Sequence, residues 1–214
     1  MESPFFSWFP RINFIGFHKR LHAKSLVDFF NISRSLSCCL TKLFLSTTMF
    51  FEADLCQLLI SCDQLQQLIL HLCKLRDSSK LKLDMPNSKL RLVELYSCSI
   101  KTVEFLCLPK LEHLLCESWF FSVAPLSFGV IPCLEGLKLV CAAYSNQSGF
   151  KLTDLMCGAS NVKDLTLDFQ GEEIWIKFQG KELRTALNKI TKLLLHGIYV
   201  KFFERLTRDG AKFY

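Results

Sequence analysis

The chain has 214 residues, half of them hydrophobic and a fifth charged, which is enough to bury a core as one domain and too apolar for a disordered chain. Its net charge of +6 is uneven, with +4 on residues 1–50, −4 on residues 51–176 and +6 on residues 177–214. Basic ends around an acidic middle, without a recognition motif, argue against a nucleic-acid partner, and the lack of any run of about 18 apolar residues argues against a membrane span.

Residues 1–37 are aromatic and basic and carry no regular pattern; they are expected to form a cap or to stay disordered. The start, "MESPFFSWFPR", has an acidic residue where a secretion signal wants a positive one, and its apolar run is cut by Pro, so no cleaved signal is expected. A cytoplasmic or nuclear chain follows. Its eleven cysteines are odd in number and include no C-x-x-C pair, so the thiols are expected free. In particular, Cys62, His71 and Cys73 lack the paired spacing of a structural zinc site.

From residue 38 onward a template recurs. "LQQLILHLC" supplies L-x-x-L-x-L-x-x-C at Leu65, Leu68, Leu70 and Cys73. The same pattern starts at Leu40, Leu92, Leu111, Leu134, Val162 and Ile190, with intervals of 25, 27, 19, 23, 28 and 28 residues when Leu65 is included. The second position then reads Leu43, Leu68, Leu95, Leu114, Leu137, Leu165 and Leu193, and the third Leu45, Leu70, Ser97, Cys116, Leu139, Leu167 and Leu195. The alternating end of each template predicts a short strand with one buried face. A period of 20–29 residues predicts that such strands stack in parallel along a solenoid.

Between the strands, "EADLCQLLISC" spaces Leu55, Leu58, Leu59 and Cys62 as a helix does, and "KELRTALNKI" does the same with Leu183, Ala186, Leu187 and Ile190. "KLTDLMCGAS" is a shorter version. "SVAPLSFGVIPC" and "YSNQSG" predict irregular loops. The architecture expected is therefore an α/β leucine-rich-repeat solenoid of about seven repeats over residues 38–202. Its parallel sheet lines the concave face and its helices or irregular loops the convex face, with residues 203–214 as a tail.

The residues flanking the inward leucines face the concave surface. Gln67, His71, Glu94, Tyr96, His113, Glu117, Lys138, Asp164, Asp168, Lys192 and His196 are the candidate contacts for a protein partner. Such a mixed polar and aromatic face suits a protein and not a phosphate ligand. Cys98 is placed on the same face, on a strand adjacent to that of His113, but no Cys–His nucleophile is expected of the pair. Neither G-x-S-x-G, a Gly-rich phosphate loop nor H-E-x-x-H occurs, so no catalytic, metal or cofactor residues are assigned and no enzyme is expected. Glu172-Glu173 reads as a solvated pair, and Trp119 and Trp175 as packing residues.

The unit L-x-x-L-L-x-x-C-x-x-L-x-x-L-x-L-x-x-C, running from Leu55 to Cys73, resembles the repeat of plant F-box/leucine-rich-repeat proteins. "CLPKLEHLLCESW", "VAPLSFGVIPCLEGLKL" and "GASNVKDLTLDFQGEEIWI" are similar to the grass members of that group. The resemblance covers about residues 38–202. It implies descent from the substrate-recognition part of an SCF-type ubiquitin ligase, in which an F-box docks a Skp1-type adaptor and the repeats hold the target. Residues 1–37 show no L-P-type helix start of an F-box. The expected function is thus a protein-binding repeat scaffold. The alternatives are a working ligase adaptor with a divergent N-terminus, or a truncated product without function.

Overall fold

The computed structural model describes residues 14–17, 37–119, 126–141, 156, 158–168 and 188–196. Eight parallel strands form the main sheet: β1 (Phe14–Phe17), β2 (Lys42–Ser46), β4 (Gln67–His71), β7 (Leu92–Tyr96), β9 (His113–Trp119), β11 (Gly136–Cys141), β12 (Asp164–Asp168) and β13 (Lys192–His196). Each lies beside the next in chain order, the signature of a solenoid. β1 falls inside the N-terminal segment that carries no template and extends the sheet by pairing Phe14–Phe17 with Lys42–Leu45.

The in-register stacking gathers like residues into columns. Leu40, Leu65, Leu90, Leu111, Leu134 and Val162 close the turns before the strands. Leu43, Leu68, Val93, Leu114, Leu137 and Leu165 come next, then Leu45, Leu70, Leu95, Cys116, Leu139 and Leu167. All are buried. Full burial of each Leu contributes roughly 1.5–3 kcal/mol, and no single coil could supply the neighbours that this requires.

The third repeat departs from the expected alignment. The sequence reading begins it at Leu92 and makes Leu92, Leu95 and Ser97 the inward set. In the fold Leu68 pairs with Val93 and Leu70 with Leu95, so the inward set is Leu90, Val93 and Leu95. Leu92 is half-exposed and Ser97 lies past the strand in the left-handed region, at φ 48°. The corrected spacing between the first three repeats is an even 25 and 25 residues.

The cysteine of the template turns the corner after the strand. The Cys73 thiol donates to the Leu45 carbonyl of the preceding coil at 3.4 Å, and the Cys98 thiol donates to Leu70 at 3.4 Å. Thr48 occupies the same place in the first repeat and donates to Ser46 at 3.1 Å. These inward bonds tie the corner of each coil to the backbone around it. Cys98 therefore belongs to the corner and not, as expected, to the partner face.

Opposite the main sheet the expected helix exists once among the described residues, as α1 (Glu52–Ser61), with Leu55, Leu58 and Leu59 buried. The following coils use strands instead. β6 (Lys80–Asp84), β8 (Thr102–Cys107) and β10 (Leu126–Val130) form a three-stranded parallel sheet, and β3 (Met49–Phe50) pairs with β5 (Lys74–Leu75). β10 replaces the irregular loop read from "SVAPLSFGVIPC". Its Leu126 pairs with Val103 and its Phe128 with Phe105, so a short alternating stretch outweighs the neighbouring Pro residues. Gly129 is required there, because a Cβ would stand 2.4 Å from the Leu106 carbonyl oxygen. Across the described residues, then, the back of the solenoid is mainly β-structure. The loop "YSNQSG", Glu172-Glu173, Trp175 and residues 203–214 lie outside the described residues, as do most of "KELRTALNKI" and "KLTDLMCGAS" and the Trp119 side chain.

α1 closes an open edge. β6 is the outer strand of its sheet, and the backbone of Lys82 points toward α1. Its N–H donates to Glu52 Oε1 at 2.7 Å and its carbonyl accepts the Cys56 thiol at 3.4 Å. Exposed strand edges recruit other strands, and covering them with a helix is a standard remedy.

Candidate binding face

One face of the main sheet packs on the leucine columns; the other is open over most of its residues, with Ser46, Ile69 and Val140 buried on it. Parallel register arranges its outward residues in three rows. The first runs Lys42, Gln67, Leu92, His113, Gly136, Asp164, Lys192. The second runs Phe44, Ile69, Glu94, Leu115, Lys138, Thr166, Leu194. The third runs Ser46, His71, Tyr96, Glu117, Val140, Asp168, His196. All eleven residues singled out from the sequence lie in these rows. Leu92, Gly136 and Thr166 belong with them. Leu92 is reached only once the third repeat is aligned correctly, and equal spacing of the first three repeats is the signal that finds it.

The half of the face nearest β2 is held by internal contacts. The Phe44 ring stacks on His71 with centroids 6.4 Å apart and planes 17° apart. His71 Nδ1 is 3.0 Å from Ser46 Oγ. The Tyr96 hydroxyl donates to Glu94 Oε2 at 3.2 Å. Burial pushes the Tyr96 phenol above its ordinary pKa, reinforced by the carboxylates of Glu94 and Glu117. Tyr96 therefore remains a neutral donor through the physiological range.

In the middle, the absence of a side chain at Gly136 makes a notch. His113, on the neighbouring strand, leans into it: a Cβ on Gly136 would stand 2.4 Å from His113 Nδ1. Around it lies a shallow depression of about 190 Å³, with Glu94, Leu115, Lys138, Asp164 and Thr166 in its wall. Just before the same strands, Arg91 Nε bonds Glu112 Oε1 at 2.8 Å and Lys163 Nζ bonds Glu135 Oε1 at 2.7 Å. The Lys163 hydrogen bond holds the Glu135 carboxyl below its usual range, helped by the charges of Lys163 and His113.

The reactive groups weighed in the sequence do not converge. Cys98 lies beyond the far end of β7, while His113 pairs with Leu92 at its near end. At about 3.3 Å per residue, more than ~13 Å of strand separates them. His71 and His196 share a row but stand five strands apart, about 24 Å at ordinary strand spacing. Cys62 and Cys73 are inside the coil and His71 is outside it. Burial raises the Cys62 and Cys116 thiols to about 12. The neighbouring Cys98 thiol and burial raise Cys73 as well. These are protonated, packed groups at neutral pH.

The fold thus defines a parallel-strand solenoid with one open, ordered sheet face. Compared with known proteins, no family model, no curated protein and no solved structure matches the chain.

Proposed function

We propose that the chain is a leucine-rich-repeat scaffold, derived from the substrate-recognition part of an F-box protein, whose open sheet face binds another protein. The observation that carries this reading is the face itself. Six strands, β4 to β13 of the main sheet, place these eleven polar and aromatic side chains in three rows around a depression whose own strands are backed by buried leucine columns. Such a mixed surface of Tyr, His and charged groups over half-buried Leu92 and Leu115 suits protein contact. The L-x-x-L-x-L-x-x-C template, with its cysteine donating to the preceding coil, supports the repeat assignment.

The experiment is a pull-down with the wild type, with Lys138→Asp and Glu94→Lys on the open face, and with Lys101→Asp away from it. A partner held by the wild type and by Lys101→Asp, and lost by both open-face variants, supports the reading. A partner indifferent to the open-face variants overturns it. The ligase adaptor role is tested separately, with purified Skp1-type adaptor. Failure to bind directly removes that role and leaves the scaffold reading in place.

A further inference from the structure

Beyond the ends of β4 and β7, two consecutive corners carry matching cysteines. His71 pairs with Tyr96 before them and Lys74 is bridged to Ser99 after them, so Cys73 and Cys98 lie in register between. The Ser99 N–H donates to the Cys73 carbonyl at 2.8 Å. The two cysteines are therefore one strand spacing apart, about 4.8 Å between backbones. That falls inside the roughly 4.4–6.8 Å that a disulfide spans between Cα atoms. Both thiols turn inward, each toward a carbonyl of the coil before it, and they hydrogen-bond to each other.

The pair is asymmetric. Cys73 is fully buried, whereas Cys98 is partly exposed and within reach of a small solute. The hydrogen bond from Cys73 holds the Cys98 thiol below its ordinary range, against the effect of burial. The same bond, with burial, holds Cys73 above it. The thiol that ionises first is thus the accessible one, and the thiolate is the reactive form. The inward bond does not itself require sulfur, since Thr48 makes one from the equivalent place in the first coil. Cys116 pairs with Leu95, three residues short of Cys98, and is out of register for a bond to it.

We propose that Cys73 and Cys98 form a reversible redox site, closed to a disulfide by hydrogen peroxide and reopened by a dithiol. The Cys98 thiolate attacks one peroxide oxygen and the O–O bond breaks. A sulfenic acid is left on Cys98, and the departing hydroxide takes up the proton that Cys98 released. The Cys73 sulfur then displaces the hydroxyl from the Cys98 sulfur, and the Cys73 proton leaves with it as water. Both sulfurs are oxidised, and one peroxide is reduced to two waters. A dithiol reopens the bond by exchange and ends as its own disulfide. In parallel register the Cβ atoms stand about as far apart as the backbones, against a mean of about 3.8 Å in disulfides, so closure draws the two corners together by about 1 Å. Strained disulfides are the labile and regulatory ones. This one would tie together the strand ends that carry His71 and Tyr96 on the open face.

The test treats the full chain with hydrogen peroxide, alkylates the remaining thiols in denaturant and maps the unreduced peptides by mass spectrometry. A linked Cys73–Cys98 peptide appears, two hydrogens lighter than its parts, and dithiothreitol removes it. Cys98→Ser abolishes it. Cys73→Thr copies Thr48 and keeps an inward donor; it leaves Cys98 as a sulfenic acid that dimedone labels, more heavily than in the wild type. Oxidation confined to Cys38, Cys39 and Cys133 overturns the proposal. So does a linked peptide that joins only other cysteines, or a Cys73–Cys98 bond that forms as fast in the urea-unfolded chain as in the native one.

Discussion

Individual residues in this solenoid are judged by what stands one coil away. Gly129 and Gly136 show how differently one added methyl is received. At Gly129 the obstacle is the Leu106 backbone, which cannot move without opening the β8–β10 pairing. Gly129→Ala should cost about 1–3 kcal/mol, the usual penalty for overpacking, measured by denaturant unfolding. At Gly136 the obstacle is the end of the His113 side chain, which can swing away. Gly136→Ala should cost under ~0.5 kcal/mol, as surface substitutions generally do, while displacing His113 and filling the notch. The cysteines obey the same logic. Exposed Cys38, Cys39 and Cys133 should react quickly with a thiol reagent at pH 8, whereas Cys62, Cys73 and Cys116 should react only on unfolding. Since the folded pKa of Cys62 and Cys116 is raised from 9.0 to about 12, the folded state holds protons that the unfolded chain releases. The resulting stabilisation is fully present below pH 9 and is lost as pH rises toward 12. Unfolding curves at pH 7, 9, 10 and 11 check this, and Cys116→Ala should flatten the decline.

At the level of the element, the strands were legible because their period of two is imposed by burial. Leu43, Leu68, Leu114, Leu137 and Leu165 stand out in the sequence and are all inside. The third repeat shows the limit of that signal. A slip of two residues keeps Glu94, Leu95 and Tyr96 on their own faces, so alternation over those residues cannot detect it. Glu94 and Tyr96 consequently stayed on the open face while Leu92 and Cys98 were misplaced. The fold makes the two alignments distinguishable. Val93→Asp places a charge in a fully buried column and should unfold the chain, as should Leu68→Asp. Leu92→Asp replaces a half-exposed residue and should melt within a few degrees of the wild type. The back of the solenoid was less legible. "LSFGV" is short, lies beside Pro125 and contains Gly129, and what makes it a strand is a neighbour, β8, that local sequence does not reveal. α1 was legible from its leucines, but not its hold on β6. Glu52→Ala frees the Lys82 N–H and should cost about 0.5–1.5 kcal/mol.

For the molecule as a whole, stability in a stacked array is a sum of coil and interface terms, so it need not be uniform. The strands at the middle are buried between neighbours: Leu68, Leu70 and Val93 are 0% exposed, and Leu137 and Leu139 are 2% and 0%. At β13 the equivalent Leu193 and Leu195 are only partly buried, and Leu194 is 42% exposed on the other face. Hydrogen exchange should report this directly. Amides of β4, β7 and β9 should exchange only with global unfolding, whereas those of β13 should exchange through local opening and therefore faster. The consequence for binding is specific. The depression draws its walls from β7, β9, β11 and β12, the well-buried part of the sheet, so its geometry is set before a partner arrives. Lys192 and His196, on β13, belong to the loosely held end. Ordering that end on contact costs entropy, and part of any gain from those two residues is spent on it. Substituting Lys192 or His196 by Ala should therefore weaken a partner less than substituting Glu94 or Lys138. If a partner binds across the whole face, exchange at β13 should slow on binding while exchange at β7 and β9 stays unchanged.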